Sequence, residues 1–157
     1  MSEIFRREIL SGGVAIVSAG LAGCSSSGNG GSGDGGVEPN PWTEVLDDRI
    51  TLNEDGYQTW SWDIDESTEI SWEMTVRSGP DIDFFVMEST EFDEYQANNR
   101  FKTYVDGYGV SDSGNGVLPE GNYRFVLDNT TAGNVEPPTN FDDDVADVEL
   151  RVEARSA

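Results

Sequence analysis

From Trp42 onward the apolar positions recur every second residue. Trp60, Trp62 and Ile64 alternate with Thr59, Ser61 and Asp63, while Ile70, Trp72, Met74 and Val76 alternate with Ser71, Glu73, Thr75 and Arg77. A period of two puts successive side chains on opposite faces of an extended chain, so these segments are predicted as half-buried strands. Tyr123, Phe125 and Leu127, and then Val148, Leu150, Val152 and Ala154, repeat the pattern. Asp81 to Met87 begins by alternating and becomes apolar on both faces, which suits a central strand, and Phe101 to Tyr108 is a further candidate. Turn chemistry separates the runs at Asn53-Glu54-Asp55-Gly56, Ser78-Gly79-Pro80, Ser113-Gly114-Asn115-Gly116 and Pro119-Glu120-Gly121-Asn122. Only Glu91 to Asn99 reads as helix, for a turn or two. The expected fold class is all-β, an antiparallel β-sandwich of jelly-roll-like kind, with Trp60, Trp62 and Trp72 on inward faces.

Before Pro41 the pattern changes. Arg6-Arg7 precede an uncharged run from Ser11 to Ala22, and Leu21-Ala22-Gly23-Cys24 follows at its end. A membrane span needs about 20 predominantly apolar residues, and this run is far shorter and broken by glycine and serine. It has the size of a signal-peptide core. Arg6-Arg7 resemble a twin-arginine (Tat) export signal, with Phe5 where Ser or Thr is usual, and Leu-Ala-Gly-Cys resembles the lipobox of exported lipoproteins. That resemblance implies cleavage before Cys24 and a thioether to diacylglycerol on its sulfur, two acyl chains being enough for stable anchoring. Residues 1–23 are thus expected to be a lipoprotein signal peptide and residues 24–41, rich in Gly and Ser, a flexible tether reaching roughly 20–25 Å. Residues 42–156 form the β-sandwich domain. Cys24 is the single cysteine, so the domain holds no disulfide.

Composition then defines the solvent. Formal net charge is -22, from 31 acids against 9 bases, and Lys102 is the only lysine. Low hydrophobicity with high net charge is the signature of disorder, but four Trp, seven Phe and five Tyr, nearly all after Pro41, argue for a packed body. At molar salt the Debye length is about 3 Å and the repulsion among the acids is screened. Acid-rich, lysine-poor chains of this kind resemble the proteins of haloarchaea, so a halophilic protein with an acidic surface is expected, its stability climbing with salt. With no basic patch to release counterions, nucleic acid is excluded as a partner.

The strand Asp81-Ile82-Asp83-Phe84-Phe85-Val86-Met87, followed after a loop by Leu118-Pro119-Glu120-Gly121-Asn122-Tyr123-Arg124-Phe125-Val126-Leu127-Asp128-Asn129, resembles the paired strands of pre-peptidase C-terminal and GOLD-type domains. The resemblance covers about Thr51 to Arg155. It implies a sandwich with Gly121 freeing the turn, Tyr123 anchoring the core and Asp81 and Asp83 flanking the outer face. It also implies a non-catalytic accessory or interaction role.

The residue inventory narrows the chemistry. There is no His, which removes imidazole bases, Ser-His-Asp triads and His-ligated zinc or copper. A carboxylate pair of the glycosidase kind remains formally available, but so many acids meet that spacing by chance, and no catalytic residue is assigned. Asp81 and Asp83, with Asp142, Asp143, Asp144 and Asp147, are hard oxygen ligands of the kind Ca²⁺ takes, yet they also read as a salt-adapted surface and form no DxDxDG loop, so no metal and no cofactor are assigned. Trp42, Tyr95, Tyr104 and Tyr108 lie off the alternating pattern and are candidates to stack on sugar rings or anchor a protein partner. Asn129-Thr130-Thr131 is a glycosylation sequon just after a strand, making Asn129 a candidate acceptor.

The expectation is therefore a lipid-anchored, non-catalytic interaction domain on the outer face of the cell membrane of a halophile. Lipid on Cys24 holds it to the membrane after export through Arg6-Arg7. Its partner is expected to be a protein or surface-layer component, the alternative being a carbohydrate- or calcium-binding surface module that takes a cell-surface glycan.

Overall fold

A computed structural model describes residues 40–137 and 144–157. Eight strands and one helix follow in the order β1 (Thr43–Leu52), β2 (Gly56–Ile64), β3 (Thr68–Ser78), β4 (Ile82–Glu88), α1 (Ser89–Gln96), β5 (Val105–Gly109), β6 (Ser111–Leu118), β7 (Gly121–Asn129) and β8 (Ala146–Ser156). They form two four-stranded antiparallel sheets, β1-β8-β3-β6 and β2-β7-β4-β5. Consecutive strands alternate between the sheets except at β4–β5, the order of an eight-stranded jelly roll, so the expected sandwich is observed.

The alternating residues fill the space between the sheets. Ile70, Trp72 and Met74 of β3 and Val148, Leu150 and Val152 of β8 face Phe84 and Val86 of β4 and Tyr123, Phe125 and Leu127 of β7, all buried in one cluster. Trp60 and Trp62 pack against it half-buried. Tyr123 donates its hydroxyl to the Pro119 carbonyl at 3.0 Å, closing the β6–β7 connection over the core.

A second, smaller core lies on the outer face of the β2-β7-β4-β5 sheet. There α1 lays Phe92 and Tyr95 over Phe85, Met87 and Val126, with Tyr57 and Phe101 at the rim. This explains why β4 is apolar on both faces. The helix overlaps the expected Glu91–Asn99 region, starting two residues earlier and stopping at Gln96. Two strands depart from the expected pattern. β1 shows no clean alternation in sequence, and Ser113-Gly114-Asn115-Gly116, expected as a turn, runs through the middle of β6.

The outer face of the other sheet is ionic. Arg49 pairs with Asp147, Arg77 with Glu149 at 2.5 Å, Arg151 with Glu153 at 2.9 Å and Arg155 with Glu69 at 2.6 Å. The arginines hold the Asp147 and Glu149 carboxyls below their usual range by hydrogen bonding and charge. Exposed pairs of this kind contribute little stability each, about 0–1 kcal/mol.

Candidate binding site

β5 and β6 are the terminal strands of their sheets and lie side by side, so both open edges fall on one flank of the sandwich. That juxtaposition depends on Trp72. Its indole reaches from β3 to the gap between the edges, where β5 and β6 present glycines. A Cβ on Gly107 would overlap the Trp72 ring, and one on Gly114 would sit 3.1 Å from Trp72 Nε1. Glycine in these strands therefore makes room for the indole, which is why β6 resembles a turn in sequence. Trp72 is 4% exposed and its ring lies 4.9 Å from that of Phe84.

Backbone and side-chain bonds then fix the edges to each other. Asp112 accepts from the Tyr108 N–H at 3.1 Å through Oδ2 and from the Ser113 N–H at 2.8 Å through Oδ1, and Val76 N–H donates to the Val110 carbonyl at 2.8 Å. Tyr104 donates its hydroxyl to Glu88 at 2.9 Å and meets Tyr123 edge-on at 5.4 Å, which holds its ring upright at the flank. Four large apolar residues stand out from this flank, Tyr104, Tyr108, Val110 and Val117, each 45–57% exposed. Beside Tyr104 lies a cleft of about 280 Å³ lined by Trp72, Tyr104, Val105, Asp106, Asp112, Ser113, Gly114 and Asn115.

A larger depression, about 470 Å³, lies on the ionic face among Asp47, Asp48, Arg49, Glu73, Arg77, Glu149 and Arg151. Its arginines already bond its carboxylates, so a ligand there must compete with satisfied partners. The smaller cleft differs in that the Trp72 Nε1–H, buried, finds no acceptor among the described residues. A buried donor without a partner carries a desolvation cost of about 1–3 kcal/mol.

The remaining sequence candidates fall elsewhere. Asp81 is exposed ahead of β4, whereas Asp83, expected on the outer face, is fully buried beneath the loop after β7. Its carboxylate accepts from the N–H groups of Asn134 at 3.0 Å and Val135 at 2.9 Å. Asp128 is its cross-strand partner and accepts from the Tyr95 hydroxyl and the Thr130 N–H through Oδ1, and from the Thr130 hydroxyl through Oδ2. Burial raises both carboxyls, Asp128 to about 6, and raises the Tyr95 phenol as well. The two aspartates pin the loop and the helix to the sheet. No cleft opens onto them among those described, and neither joins Asp144 and Asp147 in a metal-binding group; no such group occurs among the described residues.

Tyr95, a candidate for stacking on a ligand, is instead buried beneath the helix, while Trp42 stacks under the Arg155 guanidinium at 4.3 Å. Asn129 is 2% exposed, and its Nδ2, the atom that would carry a glycan, donates to the carbonyls of Asn53 and Asp144 at 3.1 and 3.0 Å. Glycosylation of the folded domain there would break both bonds. Arg6, Arg7 and Cys24, with Asp142 and Asp143, lie outside the described residues. No described helix is long and apolar enough to cross a membrane. Neither any protein-family model nor any curated protein matches the chain.

Proposed function

We propose that this chain is a lipid-anchored, non-catalytic binding domain on the outer face of the cell membrane of a halophile, and that it engages a protein or surface-layer component through the β5–β6 flank. The observation that carries the reading is the flank itself. Two open strand edges lie there, and four of the six exposed large apolar residues among those described fall on β5, on β6 or on the segments flanking β5, in a chain rich in acids. The anchor rests on Arg6, Arg7 and Cys24 and on the lipobox resemblance, with the Gly/Ser tether leaving the domain free to turn its flank to a neighbour. The saline setting rests on the charge of -22 with a single lysine.

The test compares binding of the Cys24→Ser chain to cell envelopes in molar salt with that of a variant carrying Tyr108→Ser, Val110→Ser and Val117→Ser. The flank variant should lose at least about tenfold in affinity, since each exposed apolar anchor contributes on the order of 1 kcal/mol or more. Unchanged binding by a folded flank variant would refute the reading.

A further inference from the structure

We infer that β6 is a site of strand addition: the partner taken on the β5–β6 flank contributes an extended segment that pairs with the free edge of β6 and carries a Lys or Arg beside Ser113. This deepens the proposed function and rests on it. The phase of the β3–β6 ladder fixes which main-chain groups are on offer. The Val76 N–H donates to the Val110 carbonyl at 2.8 Å, and carrying the register on from Thr75 and Ser111 sets those two residues opposite each other. In an antiparallel pair, positions bonded in this way alternate with positions whose N–H and C=O point away from the partner strand. Asp112, Gly114 and Gly116 therefore turn their main-chain groups to β3, whereas Ser111, Ser113, Asn115 and Val117 turn theirs outward, where β6 has no second ladder partner. The Ser113 N–H goes to Asp112 Oδ1, in keeping with that phase. What remains for a new strand is the outward carbonyls and the N–H groups of Asn115 and Val117.

The other edges are less open to pairing. β5 has only five residues, and its Tyr108 N–H is taken by Asp112 Oδ2. β1 carries Glu44, Asp47, Asp48 and Arg49, charges of the kind that guard an edge, and β2 stands beside it on the opposite flank. β6 contains no Pro, Lys or Arg, and its one acid, Asp112, is the residue already bonded to two N–H groups. Charge selects the occupant. Glu73 lies opposite Ser113 on β3, exposed, and forms no ion pair among the described residues, because its other cross-strand neighbour, Arg151, bonds Glu153 and Glu44 instead. Ser113 is too short to cover it. A strand added to β6 would run about 10 Å from β3, two strand spacings, which the Glu73 side chain and a Lys or Arg can span together over Ser113. The exposed Val117 gives the same strand an apolar neighbour on the same face.

The test uses the full chain carrying Cys24→Ser in molar KCl, with cell envelopes as the probe. Asn115→Pro removes one outward N–H and spares the β3 ladder, since proline is tolerated on an edge strand where the N–H faces away from the sheet. It should lower envelope affinity about tenfold, and Asn115→Ala, which keeps the N–H, should lose several-fold less. Glu73→Lys should also lose about tenfold by setting like charges against each other. A melt of each variant separates lost binding from lost folding. Hydrogen exchange of the chain without these substitutions gives a second reading: the Asn115 and Val117 amides, followed by mass spectrometry of β6 fragments, should exchange at least about tenfold more slowly on envelopes than free. Unchanged exchange overturns the inference, as does full binding by a folded Asn115→Pro variant or an equal loss from Asn115→Ala. Full binding by Glu73→Lys overturns the basic side chain. A concentration-dependent dimer of the free chain that Asn115→Pro abolishes would make a second copy the occupant and overturn it too. If strand addition fails while the triple flank variant still loses envelope binding, the flank stands; if that variant binds fully as well, the proposed function falls with it.

Discussion

Asp128 should make this domain less stable as pH rises through the mildly acidic range. Its carboxyl titrates at about 6 in the folded protein because burial disfavours the ion, against 3.8 in a solvated chain. The folded state thus holds the proton more tightly than the unfolded state. Between pH 3.8 and about 6 the stability tied to this group is lost progressively, and below 3.8 it is fully present because the group is neutral in both states. A displacement of about two pH units corresponds to roughly 3 kcal/mol at pH 7 and above. Asp83, raised in the same direction by burial, adds to the trend. Asp147 and Glu149, whose carboxyls are lowered by their arginines, oppose it once pH falls below the ordinary carboxylate range. Asp128→Asn isolates the single contribution. An Asn Oδ1 can still accept from the Tyr95 hydroxyl and the Thr130 N–H, and its Nδ2 can donate to the Thr130 hydroxyl, so the geometry is retained. Thermal melts in about 3 M KCl, where exposed charges are screened, should show the variant roughly 10 °C more stable at pH 7.5 and indistinguishable at pH 3.5. A variant that is equally stable or less stable at pH 7.5 would refute the assignment of a buried, ionised Asp128.

Three other outcomes are expected. Gly107→Ala should cost about 1–3 kcal/mol in a denaturant titration, because the added methyl meets the Trp72 ring inside a packed interior, whereas the half-buried Gly109, with open space around its Cβ position but a positive φ, should lose less than Gly107 when replaced by Asn. The melting temperature of the Cys24→Ser chain should climb from 0.05 M into molar KCl as the Debye length falls from over 10 Å to about 3 Å, and a flat midpoint would show that the acids do not repel one another measurably. Cys24→Ser should itself move the protein from the membrane fraction to the medium, and continued membrane attachment would remove the lipid anchor from the account.

The parts of the fold that were legible in the sequence are those where period two survives packing. β3, β7 and β8 alternate cleanly because each has one face on the central core and tolerates polar residues on the other, and Trp72 sits between Ile70 and Met74 as the alternation requires. β1 escaped because its register shifts between Glu44 and Leu46, so that Val45 and Leu46 are both half-buried and the alternation breaks. β6 escaped for a different reason. Its inward positions opposite Trp72 and Ile70 are Gly114 and Gly116, and a missing side chain reads as a turn until the indole that fills the space is known.

The β5–β6 flank is half visible in the sequence. Tyr104 and Tyr108 lie outside the alternating pattern and stand exposed, but Tyr95 lies outside it too and is buried. The difference lies in the second core under α1, whose signal was the run of apolar residues on both faces of β4. Asp83 and Asp128 carry no signal of burial in sequence, since a short acid beside a strand is ordinarily solvated. Only the loop from Thr130 to Val135, folded back with Gly133 against the Asp83 carboxylate, reveals their role.

The central claim is that the β5–β6 flank faces the partner, and photocrosslinking in intact cells tests it most directly. Benzoylphenylalanine is placed at Tyr108 or Val117 on the flank, and at Thr51 of β1 or Asp55 in the β1–β2 turn as controls, all exposed positions. The account predicts a discrete, reproducible adduct from Tyr108 and Val117 and none from Thr51 or Asp55. Adducts from the control positions alone, or no adduct from the flank in cells that retain the protein at the membrane, would contradict it.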